Sequence, residues 1–126
     1  MIDRLNPPAH FIFLVMTINL LLGTNTIVSS AAEISTAMNS ANPGDTLTMT
    51  NGLWVDQHII FAGTGTDSQP ILLQAENPGH VILTGTSTLR IGGSHLIVDG
   101  LYFRNGYSAS GGVIEFRRNS SQLADH

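Results

Sequence analysis

Hydrophobic and polar residues alternate with a period of two along most of the chain that follows Asp45. The alternation begins at Leu47 and Met49, which are flanked by threonines. A period of two is typical of β-strands that bury one face. Further short runs, rich in β-branched or aromatic residues and bounded by turn-forming residues, lie at 58–61, 71–75, 81–84, 88–91, 95–99, 101–104 and 113–117. The pattern predicts an all-β chain.

One helix is predicted before these strands. Ser30 and Glu33 stand at the spacing of a capping box, but cleavage after Ala31 or Ala32 would remove Ser30, so the helix prediction does not rest on this match. Apolar residues recur at helical spacing ahead of the turn-forming sequence 42–45, namely Ile34, Ala37, Met38 and Ala41. The sequence therefore predicts a short amphipathic helix.

Groups of three strands recur along the chain. Strands beginning near residues 71, 81 and 88 are followed by strands beginning near 95, 101 and 113, roughly 20 to 25 residues later. This recurrence predicts a parallel β-helix with three strands in each coil, and a β-sandwich is the alternative architecture. In a β-helix, the predicted amphipathic α-helix would cover the open edge of the first coil. Inward apolar ladders are predicted for Leu96, Val98, Leu101, Phe103, Ile114 and Phe116.

The N-terminal segment has the pattern of a signal peptide. Arg4 precedes an almost wholly apolar run at 11–22, and small residues follow it as far as Ala32. The run falls short of the ~20 residues that a membrane-spanning helix needs. We expect cleavage after Ala31 or Ala32, a secreted or periplasmic protein, and no membrane contact after cleavage. The predicted domains are a signal peptide at 1–32, a capping helix and turn at 33–45, and the first coils of a β-helix at 46–126.

Composition narrows the classes of function. Hydrophobic residues make up 42% of the chain and charged residues 11%, which excludes a disordered chain. The net charge of -4 and the lack of clustered cations exclude nucleic acid as a partner. All five cations are arginines, and cysteine is absent, so thiol chemistry and disulfides are excluded.

Most residues that could take part in catalysis or ligand binding are explained more simply by a structural role. The histidines form no pair at metal-ligand spacing, so no metal site is predicted from them. Asp45 follows Gly44 and Asp99 precedes Gly100, positions that favour turn residues over catalytic ones. The glycines match no phosphate loop, because neither a lysine nor a helix follows them.

Arginines and a tyrosine are the best candidates for binding a ligand. Arg104, Arg117 and Arg118 surround a glycine- and serine-rich loop that begins at Tyr107. Guanidinium groups match carboxylates in a bidentate geometry, and aromatic faces stack on sugar rings. Arg117 and Arg118, adjacent in a predicted strand, would point to opposite faces. We therefore predict that Arg104, Tyr107 and Arg117 bind an acidic polysaccharide, and we assign no catalytic residue.

The order of these segments resembles a known family. Residues 70–85, Leu89 and residues 95–106, preceded by 42–45 and 51–54, resemble the N-terminal coils of polysaccharide lyase family six, which comprises alginate lyases and chondroitinase B. The resemblance implies a right-handed parallel β-helix and cleavage of a uronic-acid polymer by β-elimination. It also implies a Ca²⁺ ion held by an asparagine and glutamates, a lysine base and an assisting arginine.

The catalytic positions of that family have no counterpart in this sequence. The chain contains no lysine, and Glu33, Glu76 and Glu115 form no Glu-x-Glu pair. We therefore expect an inactive, truncated N-terminal fragment of a lyase that is monomeric at full length, with its Ca²⁺ ligands outside this chain. The resemblance favours alginate as the substrate over dermatan or chondroitin sulfate. A non-catalytic adhesin or carbohydrate-binding scaffold, and another β-helix enzyme such as a pectate lyase, are the alternatives.

Overall fold

The computed structural model describes residues 23–119 and 121–125. These residues form one helix and a series of short strands, which are joined by turns. The helix is α1 (Ala31–Met38). The strands are β1 (Asn25–Val28), β2 (Thr46–Met49), β3 (Gly52–Val55), β4 (His58–Thr64), β5 (Ile71–Ala75), β6 (Val81–Gly85), β7 (Thr88–Ser94), β8 (Leu96–Asp99), β9 (Leu101–Gly106), β10 (Ile114–Glu115), β11 (Arg117–Asn119) and β12 (Gln122–Asp125).

The strands stack into coils whose three sides are separate sheets. The first sheet has the order β1-β2-β5-β8, the second β3-β6-β9, and in the third β7 pairs with β4, β10 and β12. All pairs within the coils are parallel, and the first strand of a coil returns after about 25 residues, as in the pairs Thr46 with Leu72 and Ile71 with Leu96. The predicted parallel β-helix is therefore confirmed, and the sandwich is excluded.

Apolar ladders fill the interior because alternate residues of each strand face the same side. Leu47, Leu73 and Val98 stand in register on the first side. Trp54, Leu83 and Phe103 do so on the second side. The ladder residues of the first two coils are buried, whereas Leu96, Val98, Leu101 and Phe103 are only partly buried.

Polar residues hold the turns of successive coils together. The side-chain amide of Asn51 donates to Oδ1 of Asn77 at 2.8 Å, and the backbone N–H of Asn77 donates to Oδ1 of Asn51 at 3.2 Å. Oε2 of Glu76 accepts from the backbone N–H of Asn51 at 3.0 Å. These bonds satisfy backbone groups where the ladders stop, so each turn is fixed by the turn of the next coil.

The predicted helix is confirmed, and it begins before the expected start of the mature chain. Ser30 Oγ accepts from the backbone N–H of Glu33 at 3.1 Å, and the Glu33 carboxylate accepts from the backbone N–H of Ser29. Ile34 is fully buried, and α1 packs against β4 and β1. The expected boundary between Ala32 and Glu33 thus falls inside the helix.

Three strands were not predicted from the sequence, namely β1, β3 and β12. β1 lies within the expected signal peptide, whose apolar run at 11–22 lies outside the described residues. β3 was missed because Leu53 and Val55 face outward and are more than half exposed, while Trp54 alone is buried. A strand that buries a single side chain has little hydrophobic periodicity to reveal it.

The predicted strand at 113–117 is divided in the structure. β10 pairs with β7 for only two residues, after which β11 and β12 form an antiparallel hairpin. β12 then pairs with β7 at Gly93 and Ser94. The backbone N–H of Ala124 donates to the carbonyl of Phe116 at 3.1 Å, so Phe116 bonds within the hairpin.

Candidate functional site

Arg104 lies on the outward face of β9. Leu101 and Phe103 line the interior, so Tyr102 and Arg104 point away from it, and both are exposed. The pairing of β6 with β9 shifts by one residue here, placing Arg104 and Asn105 opposite Thr84. Such a bulge redirects side chains and is common next to functional sites.

Tyr107 follows directly and completes an exposed surface with Tyr102 and Arg104, which we call the tyrosine–arginine surface. The backbone N–H of Tyr107 donates to the carbonyl of Gly85 at 3.0 Å, while its side chain is exposed. Tyr102 was missed by sequence analysis, although the alternation of Leu101 and Phe103 already places it outward. No salt bridge engages Arg104 among the described residues, so its guanidinium is available to an acidic ligand.

Arg117 belongs to a different group, centred on Glu115. The Nε atom of Arg117 lies 3.1 Å from Oε2 of Glu115, and Nε of Arg90 lies 3.8 Å from the same oxygen. Arg90 stands beside Glu115 because β7 pairs with β10 in register. The structure thus brings Arg117 together with Arg90, which sequence analysis missed.

The carboxylate of Glu115 is held in its ionised form. A hydrogen bond from the backbone N–H of Gly112, at 2.8 Å, is the main cause that lowers its pKa, followed by the bond from Arg117. Partial burial opposes this effect, and the charges of Arg117 and Arg90 add to it. Two arginines thus lie beside one carboxylate.

Two recesses formed by the described residues are not suited to a charged sugar. A cavity of about 540 Å³ lies at the end of the last coil, and its lining is mostly apolar and includes Leu96, Val98, Phe103 and Phe116. This cavity is the continuation of the interior, and the ladder residues predicted to face inward line it. A recess of about 170 Å³ beside His58, Thr88 and Arg90 is smaller than a typical ligand pocket.

The described residues do not fit the Ca²⁺ ion that the family resemblance implies. No group of three or more His, Asp or Glu side chains within residues 23–119 and 121–125 could hold a metal ion. The three glutamate carboxylates instead accept bonds from the backbone N–H groups of Ser29, Asn51 and Gly112. No Ca²⁺ site is assigned to this part of the protein.

The stacked parallel coils define a parallel β-helix protein. Its outer surface carries arginines and tyrosines. The family model described as chondroitinase B matches residues 28–126, and the chain belongs to this family. The search of curated proteins returned no match. No helix in the described part of the chain is long and apolar enough to cross a membrane.

Solved structures of polysaccharide lyase family six resemble the chain. The alginate lyase AlyGC is 43% identical over 81% of this chain, with a TM-score of 0.77. The polysaccharide lyase Pedsa3628 from Pseudopedobacter saltans is 37% identical over 71%, with a TM-score of 0.68. A mannuronic acid specific family-six lyase from human gut microbiota, 24% identical over 80% with a TM-score of 0.69, shows the fold alone. The chain spans 14%, 21% and 24% of these three proteins, respectively.

Proposed function

We propose that the chain forms the N-terminal coils of a secreted polysaccharide lyase that cleaves a uronic-acid polymer by β-elimination, with alginate preferred over dermatan or chondroitin sulfate. The observation that carries the proposal is the 43% identity to an alginate lyase over 81% of the chain. The working enzyme is monomeric and includes further coils, which supply the Ca²⁺ ligands and the catalytic groups.

The chemistry explains why these coils do not catalyse the reaction alone. The proton removed in β-elimination lies next to a carboxylate, whose charge opposes formation of a carbanion until a cation neutralises it. A positioned base must then take the proton. The sequence has no lysine, and the described residues hold no metal-binding cluster. The function of these coils is therefore to start the solenoid and to hold part of the polymer.

The activity proposal is tested by comparing the 126-residue chain with the whole protein. Both are incubated with alginate and with dermatan sulfate, and the unsaturated uronate product is followed by ultraviolet absorbance. We expect product from alginate with the whole protein, loss of that activity on chelation of Ca²⁺, and none with the 126 residues. Product released by the 126-residue chain would contradict the assignment of catalysis to other coils. A whole protein that binds the polymers without cleaving them would favour an adhesin or scaffold.

Binding to the polymer is tested on the two arginine groups. Arg104 has no ion-pair partner among the described residues, whereas Arg117 is already paired with Glu115. We therefore expect Arg104→Gln to weaken alginate binding by roughly tenfold, the effect of losing one charge-assisted hydrogen bond, and Tyr107→Ala to weaken it less. Arg117→Gln is the matched comparison, with a smaller effect expected.

Affinity electrophoresis in alginate-containing gels measures these differences, with a neutral polysaccharide as control. Retardation of all variants equal to that of the wild type would exclude both surfaces as binding sites.

A further inference from the structure

Residues 24–28 are an integral part of the first coil. β1 pairs with β2 over four residue pairs, from Asn25 with Thr46 to Val28 with Met49. Val28 is 1% exposed. The backbone N–H of Thr46 also donates to the carbonyl of Thr24 at 2.8 Å. Without this segment, β2 would become an open strand edge, which folded proteins avoid.

The start of the helix likewise depends on residues before Glu33. Ser30 caps α1, and the backbone N–H of Ala31 donates to Oε1 of Gln57 at 2.9 Å. Cleavage after Ala31 or Ala32 would remove the cap and β1 together. Loss of such a cap alone destabilises a helix. A mature protein with this fold must therefore begin at or before Thr24.

Gly23 is the small residue between the apolar run at 11–22 and the first coil, and small residues are typical of signal-peptidase sites. We propose that the leader is removed between Gly23 and Thr24 and that the new α-ammonium of Thr24 forms an ion pair with Asp45. Hydrolysis by one water breaks the amide, leaves a carboxylate on Gly23 and an amine on Thr24, and the amine takes up a proton at neutral pH. The inference rests on the export that is part of the proposed function.

The geometry for this ion pair is already present. The Thr24 nitrogen lies 2.9 Å from Oδ1 of Asp45, and the backbone N–H of Asn42 donates to Oδ2 at 2.8 Å. Asp45 is 9% exposed, and no salt bridge engages it among the described residues. Processing would thus place a positive charge directly against a nearly buried carboxylate, and charge-assisted hydrogen bonds are stronger than neutral ones.

Electrostatics at Asp45 agree with this geometry. Burial by itself would raise the pKa of Asp45, but the hydrogen bonds from Asn42 and Thr24 outweigh it and lower the pKa. The carboxylate is therefore ionised at neutral pH and can pair with a cation.

The test uses the whole protein, expressed with its own leader in a bacterium that exports it. Residues 1–126 contain no lysine, so an amine-specific label found within them marks the N-terminus of the processed protein. Mass spectrometry of the labelled peptides then identifies the first residue. We expect Thr24 as the first residue. Ala32 or Glu33 at the N-terminus of a secreted protein would overturn this inference and leave export intact. An unprocessed protein retained in the cell would overturn both.

The ion pair is tested by the rate of labelling under native conditions. A carboxylate beside an ammonium raises the pKa of the ammonium, so less of the reactive free amine is present at a given pH. We therefore expect the folded wild type to react roughly tenfold more slowly than the Asp45→Asn variant and than the wild type unfolded in urea. Asp67→Asn, in an exposed loop, is the matched control and should react like the wild type. Equal rates for folded and unfolded wild type would overturn the ion pair even if Asp45→Asn failed to fold.

Discussion

At the scale of single residues, buried polar groups tie one coil to the next. Ser87 is 2% exposed, and its hydroxyl lies 2.7 Å from the carbonyl oxygen of Thr84 and 3.0 Å from that of Trp54. The Ser87 hydroxyl oxygen also accepts a hydrogen bond from the backbone N–H of Gln57 at 2.9 Å. One side chain thus joins the turns of two coils that lie about 30 residues apart in sequence.

We expect Ser87→Ala to lower the free energy of unfolding by about 1–3 kcal/mol, because the substitution leaves buried backbone groups without partners. Urea unfolding of the whole protein measures the loss. Ser68→Ala, at an exposed loop position, is the control and should change stability little. A loss at Ser87 no larger than that at Ser68 would show that the backbone groups find other partners.

Asp56 is a residue whose charge stabilises a turn. Its Oδ1 accepts from the backbone N–H of Thr86 at 2.9 Å and from the Thr86 hydroxyl at 3.1 Å, and these bonds lower its pKa despite opposing desolvation. The charge of His58 contributes in the same direction. Asp56 has a backbone φ of 53°, so the bonds also hold a conformation that few residues adopt.

Because the pKa of Asp56 is lower in the folded state, its contribution to stability is present above the unfolded pKa and is lost as pH falls through the folded pKa. We expect stability to decrease as pH falls below about 4, and to decrease less steeply in Asp56→Asn. Thermal unfolding over a series of acidic pH values measures both slopes. Parallel profiles for the two proteins would refute the contribution of Asp56.

At the scale of elements, the strands differ in how many side chains they bury on their inward face. β5 buries Ile71, Leu73 and Ala75 and leaves Leu72 and Gln74 half-buried on the outside. This alternation made β5 visible in the sequence. β3 and β1 lack it, since each buries one side chain. Their position is set by pairing with β6 and β2, so they become recognisable only when the coils are stacked.

Two adjacent leucines on β5, one on the buried face and one on the outward face, test how much each face contributes to stability. Leu73 is fully buried between Leu47 and Val98, so Leu73→Ala should lower the free energy of unfolding by about 2–5 kcal/mol. Leu72→Ala removes the same atoms from the outward face and should cost clearly less. Chemical denaturation of both variants gives the comparison, and equal losses would mean that the inward ladder is not the main apolar core.

At the scale of the whole molecule, the two ends of the coil stack differ. Helix α1 and β1 cover one end, with Ile34 fully buried. At the other end the apolar cavity of about 540 Å³ is open, and Phe116 at its rim is 68% exposed. An exposed apolar end of this kind favours association with another apolar surface.

We expect the isolated 126-residue chain to self-associate or to be partly unfolded, because the described residues leave this apolar end open to solvent. Light scattering over a range of concentrations should show association, reduced in Phe116→Ser. Leu53→Ser is the matched control, because Leu53 is 63% exposed but lies on the outer face of β3. A monomeric isolated chain with a sharp cooperative thermal transition would contradict the expectation.

The sequence by itself determined the β-helix, the helix and most strands, because alternation, turn residues and helical spacing are local properties. It also led to the lyase family, which the comparisons confirm. The roles of Arg104, Tyr107 and Arg117 stay predictions.

Only the tertiary structure decided which distant residues meet. Arg117 lies with Arg90 and Glu115, and Thr24 lies against Asp45, because the register of the coils sets these contacts. Residues about 20 to 30 positions apart become neighbours when the chain completes one coil. The length of each turn controls that distance, and no local pattern of hydrophobic and polar residues encodes it.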